Sequence, residues 1–209
     1  MSKVLVLGEA REGALRNVSF EAIAAGKKLG DEVIGLLVGD KVADLASELI
    51  AYGADRVITV EHPNLAHYTS DGYSQAVLAV VEQESPSAIV FGHTAVGKDL
   101  SPKVASRLQI GLVSDVTAIE GEGADAVFVR PIYSGKAFEK VKIAEGTVFV
   151  SIRPNNIDPL AKEAGRSGDV SSVSVDVQNL RSIIKEVVRK STDGVDLSEA
   201  KVVVSGGRG

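Results

Sequence analysis

The sequence has no cysteine, no tryptophan and a single methionine. Disulfides, thiolate nucleophiles, cysteine-ligated iron–sulfur clusters and structural zinc ribbons are therefore excluded. Aromatic residues make up only 4%, so a core must be built from Val, Ile, Leu and Ala, which suits a parallel sheet flanked by helices. Positive charge is not in excess. The formal net charge of −5 argues against a nucleic-acid partner, which calls for a basic face to neutralise phosphates. No apolar run approaches the roughly 18–20 residues that cross a bilayer. The opening stretch Met1–Gly8 reads as a strand and not as a signal peptide, because its apolar part is short and Glu9 interrupts it. A soluble, cytoplasmic protein with no membrane partner is the expectation.

What is present is aliphatic. Hydrophobic residues account for 44% of 209, enough for a packed core. Strand-like runs and helix-spaced stripes alternate along the first two-thirds of the chain. Val4–Leu7, Glu32–Val38, Arg56–Val60 and Ala88–Phe91 read as strands. Ser19–Leu29 reads as a helix with Phe20, Ile23 and Ala24 on one face; Val42, Leu45, Ala46 and Leu49 mark a second. Tyr73, Ala76, Val77, Val80 and Val81 mark a third, and Ser101, Val104, Ala105 and Leu108 a fourth, with Pro102 in its first turn. Beyond Gly111 the pattern turns to strands without helices: Val113–Ile119, Ala126–Pro131, Phe138–Val141 and Val148–Ile152, with a hairpin turn at Tyr133–Lys136. Pro154–Ser172 reads as a long surface loop and Leu180–Val188 as a strand. The expected class is α/β: a doubly wound, mostly parallel sheet of Rossmann-like or adenine-nucleotide-hydrolase-like form, with an antiparallel β extension. Residues 1–189 form one α/β domain, and residues 190–209 read as a linker followed by the first strand and loop of a C-terminal domain.

Few of the polar motifs carry chemistry. The turn Gly8–Gly13 is not Gly-x-Gly-x-x-Gly, and its two carboxylates would repel a pyrophosphate. Gly92-His-Thr-Ala-Val-Gly-Lys-Asp99 matches the first part of a phosphate-binding loop, but Asp99 stands where a Mg²⁺-ligating Ser or Thr belongs. A stand-alone nucleotide-binding protein using this turn is the alternative reading, and a pure interaction module is a third. His62, His67 and His93 show no metal-ligand spacing, so they read as surface or loop histidines. Asp115, inside an apolar strand, reads as a partly buried, hydrogen-bonded carboxylate. Arg130, Lys136 and Arg153 mark the hairpin region as a place where a partner chain could touch. No catalytic residue and no metal ligand is assigned. The terminal Val202-Val-Val-Ser-Gly-Gly-Arg-Gly209 reads as a strand entering a glycine-rich phosphate turn.

Several segments, in order, resemble the alpha subunit of the electron-transfer flavoprotein family. They are Ala51-Tyr-Gly-Ala-Asp55, Leu65-Ala-His-Tyr-Thr69, Gly97-Lys-Asp-Leu-Ser-Pro-Lys-Val-Ala105, Leu112-Val-Ser-Asp-Val-Thr-Ala118, Arg130-Pro-Ile-Tyr-Ser-Gly135, Ile152-Arg-Pro154 and Val202–Gly209. The resemblance implies an N-terminal α/β domain that packs on a similarly folded beta subunit, which carries AMP in those members that bind it. It also implies a C-terminal domain holding most of the FAD contacts. The complete pair passes electrons from flavin dehydrogenases to a quinone oxidoreductase, as an electron carrier rather than a catalyst.

Carried over by position, Arg208 lies beside the FAD pyrophosphate and Gly207 allows its close approach. A chain without cysteine or a metal cluster needs such a cofactor for any redox role. Because the sequence stops at Gly209, it reads as a truncated subunit: FAD belongs to the full-length complex, and none is expected on this chain alone. Val202–Val204, as an uncovered strand, would then favour self-association.

Overall fold

The computed structural model describes residues 2–187, 197, 200 and 202–207. Strand and helix alternate first: β1 (Lys3–Gly8), a small ribbon of β2 (Ala10–Arg11) and β3 (Ala14–Leu15), α1 (Asn17–Leu29), β4 (Glu32–Gly39), α2 (Ala46–Ala51), β5 (Arg56–Glu61), α3 (Ser70–Glu84), β6 (Ala88–Gly92) and α4 (Ala95–Leu108). Strands follow: β7 (Val113–Val116), β8 (Ala118–Glu120), β9 (Val127–Ile132), β10 (Ala137–Val141), β11 (Val148–Ile152) and β12 (Asp169–Ser172).

Seven strands form one sheet in the order β12-β5-β4-β1-β6-β11-β7, and every pairing in it is parallel. The unbroken apolar runs follow from burial on both faces. Val4 and Val6 of β1 point into the core beneath α1 and α2, while Leu5 and Leu7 point into the core beneath α3 and α4. The chain winds outward from β1 through β4 to β5 and then crosses to β6 on the other side. That reversal opens a crevice at the carboxyl ends of the central strands.

The antiparallel extension is smaller than its pattern suggested. Val113–Ile119 divides into β7 and β8 at Thr117, and β7 and β11 both join the main sheet. Only β8, β9 and β10 form the separate antiparallel sheet. That sheet occupies the crossover between the parallel neighbours β7 and β11, where a helix usually sits. Ile119 and Phe128 seat it on the α1 side of the core.

The segment expected as a surface loop is tethered. The Asn155 N–H donates to Glu21 Oε2 at 2.9 Å, Arg166 pairs with Asp55 at 2.8 Å, and the segment ends in β12 beside β5. Alternation alone could not show this, because all four β12 residues are exposed. Residues 180–187, read as a strand, have neither strand nor helix structure; Val188 lies outside the described residues. Val202–Val204 likewise form no strand and are largely exposed. Their β-branching suits a strand but supplies no neighbour to pair with. Pro102 sits inside α4 rather than in its first turn, because the helix starts at Ala95.

Charged residues bind the amino-terminal end of the sheet. Glu84, at the end of α3, takes Arg56 Nη2 at 2.5 Å and Lys3 Nζ at 3.0 Å; Arg56 Nε reaches Glu32 at 2.6 Å. Hydrogen bonding from Arg56 holds the Glu84 carboxyl down at about 2. No helix among the described residues is long and apolar enough to cross a membrane.

Candidate functional site

Charged side chains converge at the opposite, carboxyl-terminal end of the sheet. β11 and β7 pair at Val150–Val113 and at Ile152–Val116, which leaves Ser114 and Asp115 opposite Ser151. This bulge turns Asp115 to φ 65°, a left-handed conformation that aspartate tolerates better than most residues. The carboxylate accepts two hydrogen bonds from Arg153, from Nε at 2.8 Å and from Nη2 at 2.6 Å. Arg153 holds the Asp115 carboxyl below its ordinary range.

His93 follows β6 and joins this group. Its N–H donates to the Ile152 carbonyl at 2.6 Å, its Nδ1 lies 3.0 Å from Ser151 Oγ, and its Nε2 lies 3.7 Å from Asp115 Oδ1. Burial lowers its pKa against the pull of Asp115, so the ring is neutral near pH 7. Ser151, His93 and Asp115 have the composition of a nucleophilic triad without its geometry. Ser151 is 0% exposed, the His–Asp distance exceeds a hydrogen bond, and Arg153 already holds both oxygens of Asp115. Sequence spacing could not reveal this group, because three different strands and a bulge assemble it.

Beside it lies a concavity of roughly 570 Å³, walled by Asp115, Arg153 and the segment from Arg130 to Gly135. Tyr133, Ser134 and Gly135 all have positive φ (50°, 57° and 84°) and form its lip, with Tyr133 78% exposed. Arg130 Nη2 donates to Ser114 Oγ at 3.5 Å. Two of the three cations read from the hairpin region, Arg130 and Arg153, thus meet here. Lys136 is exposed and does not line the concavity.

The crevice at the strand reversal, roughly 670 Å³, is a second concave feature. Glu9 fills its phosphate position. The carboxylate is buried, takes the Thr94 hydroxyl at 2.7 Å and pairs with Arg16 at 3.2 Å. Thr94 is the N-cap of α4, so the chain's own carboxylate lies where a helix terminus would attract an anion.

The turn Gly92–Asp99 is not a phosphate loop. Gly97 and Lys98 lie within α4, and the Gly97 N–H donates to Thr94 Oγ1 at 3.1 Å. A Cβ on Gly97 would stand 1.7 Å from the Gly92 carbonyl oxygen, so this glycine lets helix and strand end touch. Asp99, which stands where a Mg²⁺-ligating hydroxyl would be, accepts from Tyr68 Oη at 2.6 Å. The nucleotide reading of this turn is therefore not favoured. His62 caps a short turn by accepting from the Asn64 N–H at 3.0 Å, and His67 is exposed. Among the described residues no group of His, Asp and Glu could hold a metal ion.

The positions carried over for FAD make no enclosure within the described residues. Gly207 is exposed, and a Cβ placed on it or on Gly206 meets nothing within 4 Å. Arg208 lies outside the described residues. These residues alone do not fit a flavin.

The family model described as "Electron transfer flavoprotein domain" matches residues 4–178. An electron transfer flavoprotein subunit alpha of Bacillus subtilis is 58% identical, over 99% of this chain and 64% of its own length. One from Syntrophomonas wolfei is 36% identical, over 100% of this chain and 66% of its own. The acryloyl-CoA reductase electron transfer subunit beta of Anaerotignum propionicum is 31% identical, over 99% of this chain and 65% of its own. The chain thus spans just under two-thirds of the length of these relatives.

Proposed function

Since the chain belongs to the electron transfer flavoprotein family, we propose that it is the scaffold domain of an alpha-type electron-transfer subunit. Residues 1–189 dock a beta subunit and support a flavin domain, of which residues 190–209 are the entry. The assembled, cytoplasmic protein carries electrons through FAD between flavin dehydrogenases and a quinone oxidoreductase, without transforming a substrate of its own. Gly207 and Arg208 are this chain's contribution to the FAD pyrophosphate site. One observation carries the reading: similarity to alpha subunits extends over 99% of the chain at 58% identity.

Co-expression tests it. The 209-residue chain is paired with the beta subunit of the Bacillus subtilis relative, with and without that relative's remaining carboxyl-terminal segment fused after Gly209. Flavin absorbance is expected to copurify only with the fusion. Stoichiometric flavin on the 209-residue chain alone overturns the division of labour, and failure to copurify with the beta subunit in either form overturns the docking role. The exposure of Val202–Val204 supports self-association through the tail; an unchanged sedimentation coefficient for a chain ending at Lys190 counts against it.

A further inference from the structure

The concavity beside Asp115 holds a guanidinium whose hydrogen bonding is incomplete. Arg130 lies on β9 with its Nε buried and without an acceptor. Its one hydrogen bond among the described residues is the long contact to Ser114. Glu139 stands directly across from it on β10, yet no ion pair joins them. Buried N–H groups in folded proteins are nearly always satisfied, so the bare Nε marks a side chain whose hydrogen bonding is not completed by the protein.

Arg153 is in the opposite situation. Asp115 engages it through two nitrogens and cancels its charge. His93 adds no negative charge. Lys98 adds a lesser positive influence on both His93 and Asp115. Arg130 is thus a cation of the cavity wall that no close ion pair among the described residues engages.

Size and shape suit a small ligand. A volume of roughly 570 Å³ falls within the range of about 300–1,000 Å³ typical of small-molecule pockets. The lip supplies an exposed aromatic ring at Tyr133 and backbone in the left-handed region from Tyr133 to Gly135. An oxyanion that presents two adjacent oxygens, a carboxylate or a phosphoryl group, matches the arginine fork in a way that a neutral group does not.

We propose that this concavity binds a small molecule through a phosphoryl or carboxylate group, with Arg130 as the partner of its oxygens. The site is separate from the crevice filled by Glu9. It rests on this chain's own residues and not on the docking reading.

The Nε–Hε resonance of Arg130 reports on the guanidinium when its outer nitrogens take a ligand. The full 209-residue chain is titrated with inorganic pyrophosphate and, separately, with glutarate, each followed by ¹⁵N-correlated NMR with sodium chloride at matched ionic strength as the reference. Saturable movement of the Arg130 resonance by pyrophosphate identifies a phosphoryl ligand, and by glutarate a carboxylate ligand; either supports the site. By calorimetry, Arg130→Gln is expected to weaken the binding at least tenfold. Arg130→Lys should restore only part of it, and Lys162→Gln, a distant cation, should leave it unchanged. No movement with either anion, or the same movement with sodium chloride, overturns the proposal. The titration of the native chain decides the matter even where Arg130→Gln fails to fold.

Discussion

Arg153 grips Asp115 with two hydrogen bonds, of 2.8 and 2.6 Å, and it does so only because Asp115 stands in a bulge at φ 65°. Side-chain pairing and backbone conformation are therefore separable contributions at one position. Asp115→Asn is expected to lose the charged pair and cost about 1 kcal/mol. Asp115→Ala is expected to cost about 1 kcal/mol more, because alanine also pays for the left-handed backbone. Urea denaturation at neutral pH measures both, and equal losses would show that the backbone contribution is absent. The folded carboxyl is held below its ordinary 3.8. The pair's contribution is thus complete above that value and fades as the pH falls below it.

Glu84 should dominate the acid limb of stability. Its pKa drops from 4.5 to about 2 on folding, so the unfolded chain binds the extra proton in that interval. Stability therefore falls as the pH is lowered through it. Glu84→Gln leaves Lys3 without its carboxylate and Arg56 with Glu32 alone, and is expected to cost about 2–3 kcal/mol at pH 7. The difference from the native chain should shrink steadily below pH 4.5 and be nearly gone near pH 2. Thermal melts across that range check it; a constant difference would place the loss in packing rather than charge.

Gly97 and Lys98 should behave as helix residues. Gly97→Ala drives a methyl into the Gly92 carbonyl and is expected to cost more than about 3 kcal/mol. Lys98→Ala, at an exposed position, should stay within about 0.5 kcal/mol. Calorimetry with ATP should show no tight binding by the native chain; tight binding abolished by Lys98→Ala would restore the nucleotide reading.

Thr94 serves two partners, the Gly97 N–H and the buried Glu9 carboxylate. Thr94→Val keeps the shape and removes both, at an expected cost of about 2 kcal/mol. Thr94→Ser should retain most of the stability. Chemical denaturation of the two variants separates the hydroxyl from the methyl.

The core of the fold was readable wherever one periodicity governed a whole element. β1, β4, β5 and β6 are continuous apolar runs because both faces are covered, and the stripe from Tyr73 to Val81 became α3. Reading failed where pairing partners are distant in sequence. β12 has no buried residue of its own and is a strand only because β5 lies beside it. β11 resembled the hairpin strands around it, and only the vacancy beside β6 draws it into the main sheet. The candidate site was half legible. Arg130 and Arg153 were singled out, and Asp115 was recognised as a bonded carboxylate. Its contact with His93 depends on a bulge, which leaves no mark in composition or spacing.

The placement of β11 has a consequence for the order of assembly. Among the described residues β7 pairs with the main sheet only through β11, which follows some thirty residues later in the chain. The edge strand carrying Asp115 must therefore wait until the whole β8–β10 excursion has been laid down and β11 has docked on β6. Backbone protection at Val113–Val116 can then never outlast protection at Val148–Ile152, and any event that peels β11 from β6 releases the arginine-lined end of the molecule as one unit.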